Sequence, residues 1–181
     1  LTLVLVGCQS SPETTKNITN PESPALKMLI EPKNIPGEWK WYLILVNQPG
    51  GAKWLGQENL SDSAEIDISS DFWLGEEKYY TTIYHHVLQY SRPVSNLIPS
   101  PLNSVFDGDS EIKSPNLESV GNTMSIRCFD SKIYYNCSIS IRYSYTESYT
   151  TIITEKSIGT DGLGILINSI IKASDEKITD S

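Results

Sequence analysis

One stretch in the C-terminal third constrains this chain more than any other: from Ile133 to Tyr145 every odd residue is Ile, Tyr or Cys, and the even ones are Tyr, Asn, Ser or Arg. Successive side chains on a strand point to opposite faces, so this alternation calls for a long strand with one buried face. Just upstream, Met124, Ile126 and Cys128 alternate with Ser125 and Arg127, and Asp130-Ser131-Lys132 supplies turn chemistry. Residues 123–145 therefore read as an antiparallel hairpin. Symmetric pairing sets Cys128 opposite Cys137, Ile126 opposite Ile139 and Met124 opposite Ile141, all on the core face, which brings the two sulfurs within bridging range.

The rest of the domain follows from similar signals. Ser23-Pro24 is a helix start, with Ser as N-cap and Pro in the first helical position, and Leu26, Leu29 and Ile30 form a short apolar stripe that Pro32 and Pro36-Gly37 end. The run from Trp39 to Val46 suits a strand buried on both faces at its end, and Pro49-Gly50-Gly51 is a turn. Residues 52–80 are ambiguous, with one strand at Ala64 to Ile68. Tyr79 to Tyr90 is a clearer strand, with Ile83, His85, Val87 and Gln89 on one face and Tyr84, His86, Leu88 and Tyr90 on the other. Three prolines make residues 92–109 an irregular crossover, and residues 110–121 read as a polar loop. A strand from Tyr149 to Thr154 extends the hairpin into a meander. After the turn Gly159-Thr160-Asp161-Gly162, Leu163, Leu166, Ile167, Ile170 and Ile171 recur with helical spacing, and Lys172 and Lys177 sit where the helix dipole favours cations. The expected fold is α+β: a twisted antiparallel sheet of five to seven strands covered by an N-terminal and a C-terminal helix.

Composition agrees. The chain has 181 residues with 39% hydrophobic and 20% charged residues and ten tyrosines, a balance that suits strands in one domain. A formal net charge of -8 and a pI near 4.7 repel phosphate backbones, so nucleic acid is not an expected partner.

The N-terminus carries an address. Leu1 to Val6 is an uncharged apolar run too short to span a bilayer, and it reads as the tail of a signal peptide. Leu5-Val6-Gly7-Cys8 resembles the lipobox of bacterial lipoproteins, which implies cleavage before Cys8 and acylation of its sulfur. The rival reading is an apolar first strand with a buried Cys. Two or three acyl chains hold a protein to a membrane where one holds it only marginally. Gln9 stands where the lipoprotein pattern would place Asp for inner-membrane retention, so the resemblance favours the outer membrane in a two-membrane cell. Gln9 to Ser23 has only Ile18 as a large apolar side chain and is expected to be a disordered tether. The expected organisation is a signal-peptide remnant at 1–7, a lipidated tether at 8–23 and a single domain at 24–178. In an exported chain the remaining pair, Cys128 and Cys137, most simply forms a disulfide, worth about 2 to 3 kcal/mol in the chain-entropy model. A redox or metal pair is the weaker reading, because the spacing is not C-x-x-C and neither histidine is nearby in sequence.

Chemistry-bearing motifs are sparse. His85 and His86 are adjacent on a strand and point apart, so they do not readily grip one metal. The glycine-rich stretch at 159–164 lacks the Walker lysine and reads as a strand-to-helix turn. No G-x-S-x-G, H-E-x-x-H or EF-hand pattern occurs. Neither an enzyme nor a cofactor is expected. Aromatic residues are the one hint of a binding surface: Trp39, Trp41, Trp54, Trp73, Tyr79 and Tyr80 exceed what one small core needs, although core packing accounts for at least two of the tryptophans.

The segment from Met28 through Pro36-Gly37-Glu38-Trp39, together with Cys128, Cys137, the Ile141-Arg142-Tyr143 strand and a final helix, resembles a loose group of uncharacterised bacterial lipoproteins. The domain also resembles the α+β sandwich of PsbP-like proteins, a curved antiparallel sheet covered by helices. That resemblance implies binding of other proteins or accessory factors rather than catalysis. The expectation is a membrane-anchored, extracytoplasmic, non-catalytic binding or envelope interaction module, its partner an envelope protein or a small ligand. The alternative is a solute-binding or sensor lipoprotein with a small-molecule pocket between helix and sheet.

Overall fold

The computed structural model describes residues 13–18, 23–36, 38–47, 60–74, 76–93, 110–112 and 117–180. In chain order the strands are β1 (Glu13–Ile18), β2 (Glu38–Asn47), β3 (Leu60–Leu74), β4 (Glu77–Tyr90), β5 (Ser110–Ile112), β6 (Thr123–Asp130), β7 (Tyr134–Arg142) and β8 (Thr146–Glu155). The helices are α1 (Pro24–Lys27) and α2 (Gly159–Thr179). All eight strands join one sheet in the order β1-β2-β3-β4-β8-β7-β6-β5. Every neighbouring pair is antiparallel except β1 with β2. The fold is therefore α+β, with a short N-terminal and a long C-terminal helix.

The hairpin has the register that its alternation requires. Cys128 pairs with Cys137, Ile126 with Ile139 and Met124 with Ile141, and a disulfide joins Cys128 to Cys137. Ser131 closes the turn, its Oγ donating to the Tyr134 carbonyl at 2.8 Å. Next to β7, β8 continues the meander and then pairs with β4, tying the two halves of the chain together at the sheet centre.

One sheet face is the core face. It carries Ile66 and Ile68 of β3, Ile83 and Val87 of β4, Ile139 and Ile141 of β7 and Ile152 of β8, packed with Leu163, Leu166, Ile167, Ile170 and Ile171 of α2 and with Ala25, Met28, Leu29 and Ile30 around α1. Apart from Leu166, the largest fully buried side chains are isoleucines. Their branched Cβ suits a pleated surface, and each stabilises the fold by roughly 1.5 to 3 kcal/mol on burial. Polar residues on the core face are paired across strands: Thr81 Oγ1 lies 2.8 Å from Thr154 Oγ1, and His85 Nδ1 lies 2.9 Å from Thr150 Oγ1.

α1 starts as its sequence dictates. Ser23 Oγ accepts from the Leu26 amide at 3.2 Å and donates to Asp62 Oδ2 at 2.6 Å, while the Ala25 amide donates to the same carboxylate oxygen at 3.1 Å. The buried Asp62 thus gathers donors at the helix start and bolts it to β3. At α2, Gly159 takes φ of +71°, a turn that only glycine makes without strain, and the helix starts there rather than after Gly162. Asp161 in its first turn suits the positive end of the helix dipole, and Lys177 in its last turn pairs with Glu31.

Three expectations are corrected. Residues 13–18, placed in a disordered tether, form a strand paired in parallel with β2 from Glu13↔Trp41 to Ile18↔Val46. An edge strand is held by main-chain hydrogen bonds, which a count of apolar side chains does not register. With β1 included, the sheet has eight strands instead of five to seven, and the domain extends upstream of residue 24. Residues 110–112, expected in a loop, pair with Cys128 to Asp130 as β5.

Candidate functional site

The second sheet face is built from the alternate residues of the same strands. On β4 these are Tyr80, Thr82, Tyr84, His86, Leu88 and Tyr90; on β8, Glu147, Tyr149, Thr151 and Ile153; on β7, Tyr134, Asn136, Ser138, Ser140 and Arg142. Both helices pack on the core face, and among the described residues no helix covers this one.

Aromatic rings stand over a floor of small polar groups. Tyr80 is 51% exposed and Tyr84 37%. His86 and Tyr149 are register partners whose rings meet edge to face with centroids 6.1 Å apart. Burial raises the pKa of the Tyr149 phenol. Beneath these rings, Thr82 and Ser138 are buried. Asn136 presents an amide oxygen, itself buried, that no donor meets among the described residues. Rings above hydroxyl and amide groups can bind by stacking and by hydrogen bonding.

At one end of the face, Glu147 is buried among partners. Ser140 Oγ donates to Oε1 at 2.9 Å, Arg142 Nε donates to the same oxygen at 3.2 Å, and Tyr90 Oη donates to Oε2 at 3.4 Å. A buried carboxylate so surrounded is a structural anchor. A second carboxylate, Asp175 on α2, accepts from Tyr143 Oη at 2.6 Å, Ser119 Oγ at 2.7 Å and the Val120 amide at 3.1 Å, pinning residues 119–120 to the helix. Burial, and then this carboxylate, push the Tyr143 phenol far above its ordinary range.

The histidines separate as their alternation requires. His85 is fully buried on the core face, and His86 lies half-buried on the open one. Desolvation, and secondarily the charge of His86, pushes the His85 pKa down to about 3, and its Nε2 has no partner. Among the described residues no group of three or more His, Cys, Asp or Glu is placed to hold a metal ion.

The proposed surface aromatics divide. Tyr80 is exposed, but Tyr79 is buried at 7% on the core face, so its assignment to a binding surface is corrected. Its odd number gives it the same face as Ile83 and His85. Trp39 and Trp41 fall in β2 and Trp73 in β3, at backbone positions whose side chains lie outside the described residues, as do Trp54 and Cys8 altogether. Tyr84, His86 and Tyr149 were not singled out as site residues in the sequence. The signal was present, since all three belong to the face opposite the isoleucines.

A cleft of about 440 Å³ lies between α1 and the end of α2, lined by Lys27, Asn34, Glu176, Lys177 and Asp180. None of the described helices is long and apolar enough to cross a membrane. Comparisons with models of protein families, with curated proteins and with solved structures find no match.

Proposed function

We propose that this chain is an exported lipoprotein, held to a membrane by acyl groups on Cys8, whose open sheet face is a non-catalytic binding surface for another component of the cell envelope. The observation that carries the binding role is the aromatic set Tyr80, Tyr84, His86 and Tyr149 on the sheet face opposite the two helices, with Tyr80 51% and Tyr84 37% exposed. Tyrosine supplies large contact area at little conformational cost, and it is enriched where proteins meet partners. The anchor rests on Leu5-Val6-Gly7-Cys8, and the Cys128–Cys137 disulfide is in keeping with an oxidising space outside the cytosol. The PsbP-like resemblance belongs to the same proposal: an antiparallel sheet with its helices on one side leaves the other side for partners.

The solute-binding alternative finds less support. The cleft beside α1 is lined by charged and amide groups, whereas small-molecule sites are mostly apolar with a few convergent polar groups.

Two measurements test the proposal. Palmitate incorporation is expected in the wild type and not in Cys8→Ser, and equal labelling of the two removes the anchor. For the face, a photo-crosslinking amino acid at position 84 in intact cells is expected to give discrete adducts that the same group at position 172, on the exposed side of α2, does not give. Matching patterns from both positions, or none from 84, remove the binding face.

A further inference from the structure

The parallel pairing of β1 fixes which end of the domain the membrane anchor leaves from. β1 begins at Glu13, opposite Trp41 near the start of β2. That end of the sheet also holds the β3–β4 hairpin tip, where Leu74 pairs with Glu77, and the β6–β7 tip around Ser131 to Ile133. Between Cys8 and Glu13 lie five peptide links, which span at most about 17 Å fully extended. β4 alone has 14 residues and at about 3.3 Å each runs roughly 45 Å from the hairpin tips to the opposite end. Cys8 reaches the first end and falls far short of the second.

We infer that the anchored domain stands on its hairpin tips, with Ile133 and Tyr134 in the headgroup layer of the membrane. This rests on the acylation of Cys8. Ile133 is 64% exposed at the β6–β7 tip, and Tyr134 follows it on β7. Tyrosine settles at the boundary between headgroups and acyl chains because its ring is apolar and its hydroxyl polar. Exposure by itself does not choose this end, because Val120 and Tyr145 are exposed at the other; the tether length does. Charge does not drive the contact either. Glu76, Glu77 and Asp161 as well as Lys132 and Lys156 stand exposed at the tip end, so the contact is made to zwitterionic lipid and needs no anionic headgroups.

The test uses full-length lipidated protein extracted from cell membranes and reconstituted into phosphatidylcholine vesicles that contain brominated lipid. A bimane probe is attached at Ile133→Cys, at Val120→Cys or, as a second tip position, at Lys132→Cys, with the disulfide left intact. Quenching of about twofold or more is expected from positions 133 and 132 and little from 120, because headgroup insertion buries the tip 5 to 10 Å. Protein that floats with the vesicles but is quenched equally at 133 and 120, or more strongly at 120, overturns the orientation while leaving the anchor standing. Protein that fails to float, or a Cys8→Ser form that floats equally well, overturns the anchor and this inference with it.

Discussion

The two faces of the sheet are made by the same strands and differ in almost everything else. On β8, Ile152 points into the helix-covered core and is fully buried, while its neighbour Ile153 points to the open face and is only partly buried. On β4, Ile83 and Val87 are sealed under the helices, while Tyr80 and Tyr84 keep substantial exposure. One face is a stability device built of isoleucine. The other carries tyrosine, threonine, serine and asparagine, with Tyr80 and Tyr84 exposed and Thr82, Ser138 and Ser140 buried among them.

If that division is right, substitutions should sort by parity along each strand. The largest effect is expected on the core side: Leu166→Ala, at the centre of α2 and fully buried, should lower unfolding stability by about 3 to 5 kcal/mol in a denaturant titration. Breaking the bridge with Cys128→Ser and Cys137→Ser should cost about 2 to 3 kcal/mol, read the same way.

His85 sharpens the comparison through pH. The folded protein keeps this imidazole neutral down to about pH 3, whereas the unfolded chain protonates it below its ordinary value of 6.5. Its contribution to stability is present above that value and falls as pH drops through the window between 6.5 and 3. The slope approaches about 1.4 kcal/mol per pH unit once the unfolded imidazole is charged. His85→Gln should flatten this part of the stability profile, and His86→Gln on the open face should leave it unchanged. At the small end, Tyr80→Ser should shift stability by no more than about 0.5 kcal/mol while weakening the crosslinks formed by the probe at position 84.

Much of this was legible in the sequence because it rested on side-chain period. The hairpin register at Cys128 and Cys137, the α2 stripe from Leu163 to Ile171 and the Ser23-Pro24 cap all follow from patterns that repeat with the backbone. β1 was hidden because its attachment to β2 is made by the main chain, and Glu13–Ile18 has no apolar alternation to announce it. β3 was seen only at Ala64 to Ile68, since Ser69, Ser70 and Asp71 beyond it carry no apolar alternation although they pair with β4. The role of Asp62 depends on a contact 39 residues away in sequence, which no local pattern encodes. Of the candidate site, Tyr80 was found by composition. Tyr84, His86 and Tyr149 emerge once β8 is known to lie against β4, a pairing across more than fifty residues.

Ile152 and Ile153 provide the most direct test of the two-faced account, being the same residue on the same strand, one position apart. In paired denaturant titrations, Ile152→Ala should cost about 3 kcal/mol or more and Ile153→Ala about 1 kcal/mol or less. Equal losses at the two positions would mean that both faces are buried alike, and there would then be no open face for a partner to use.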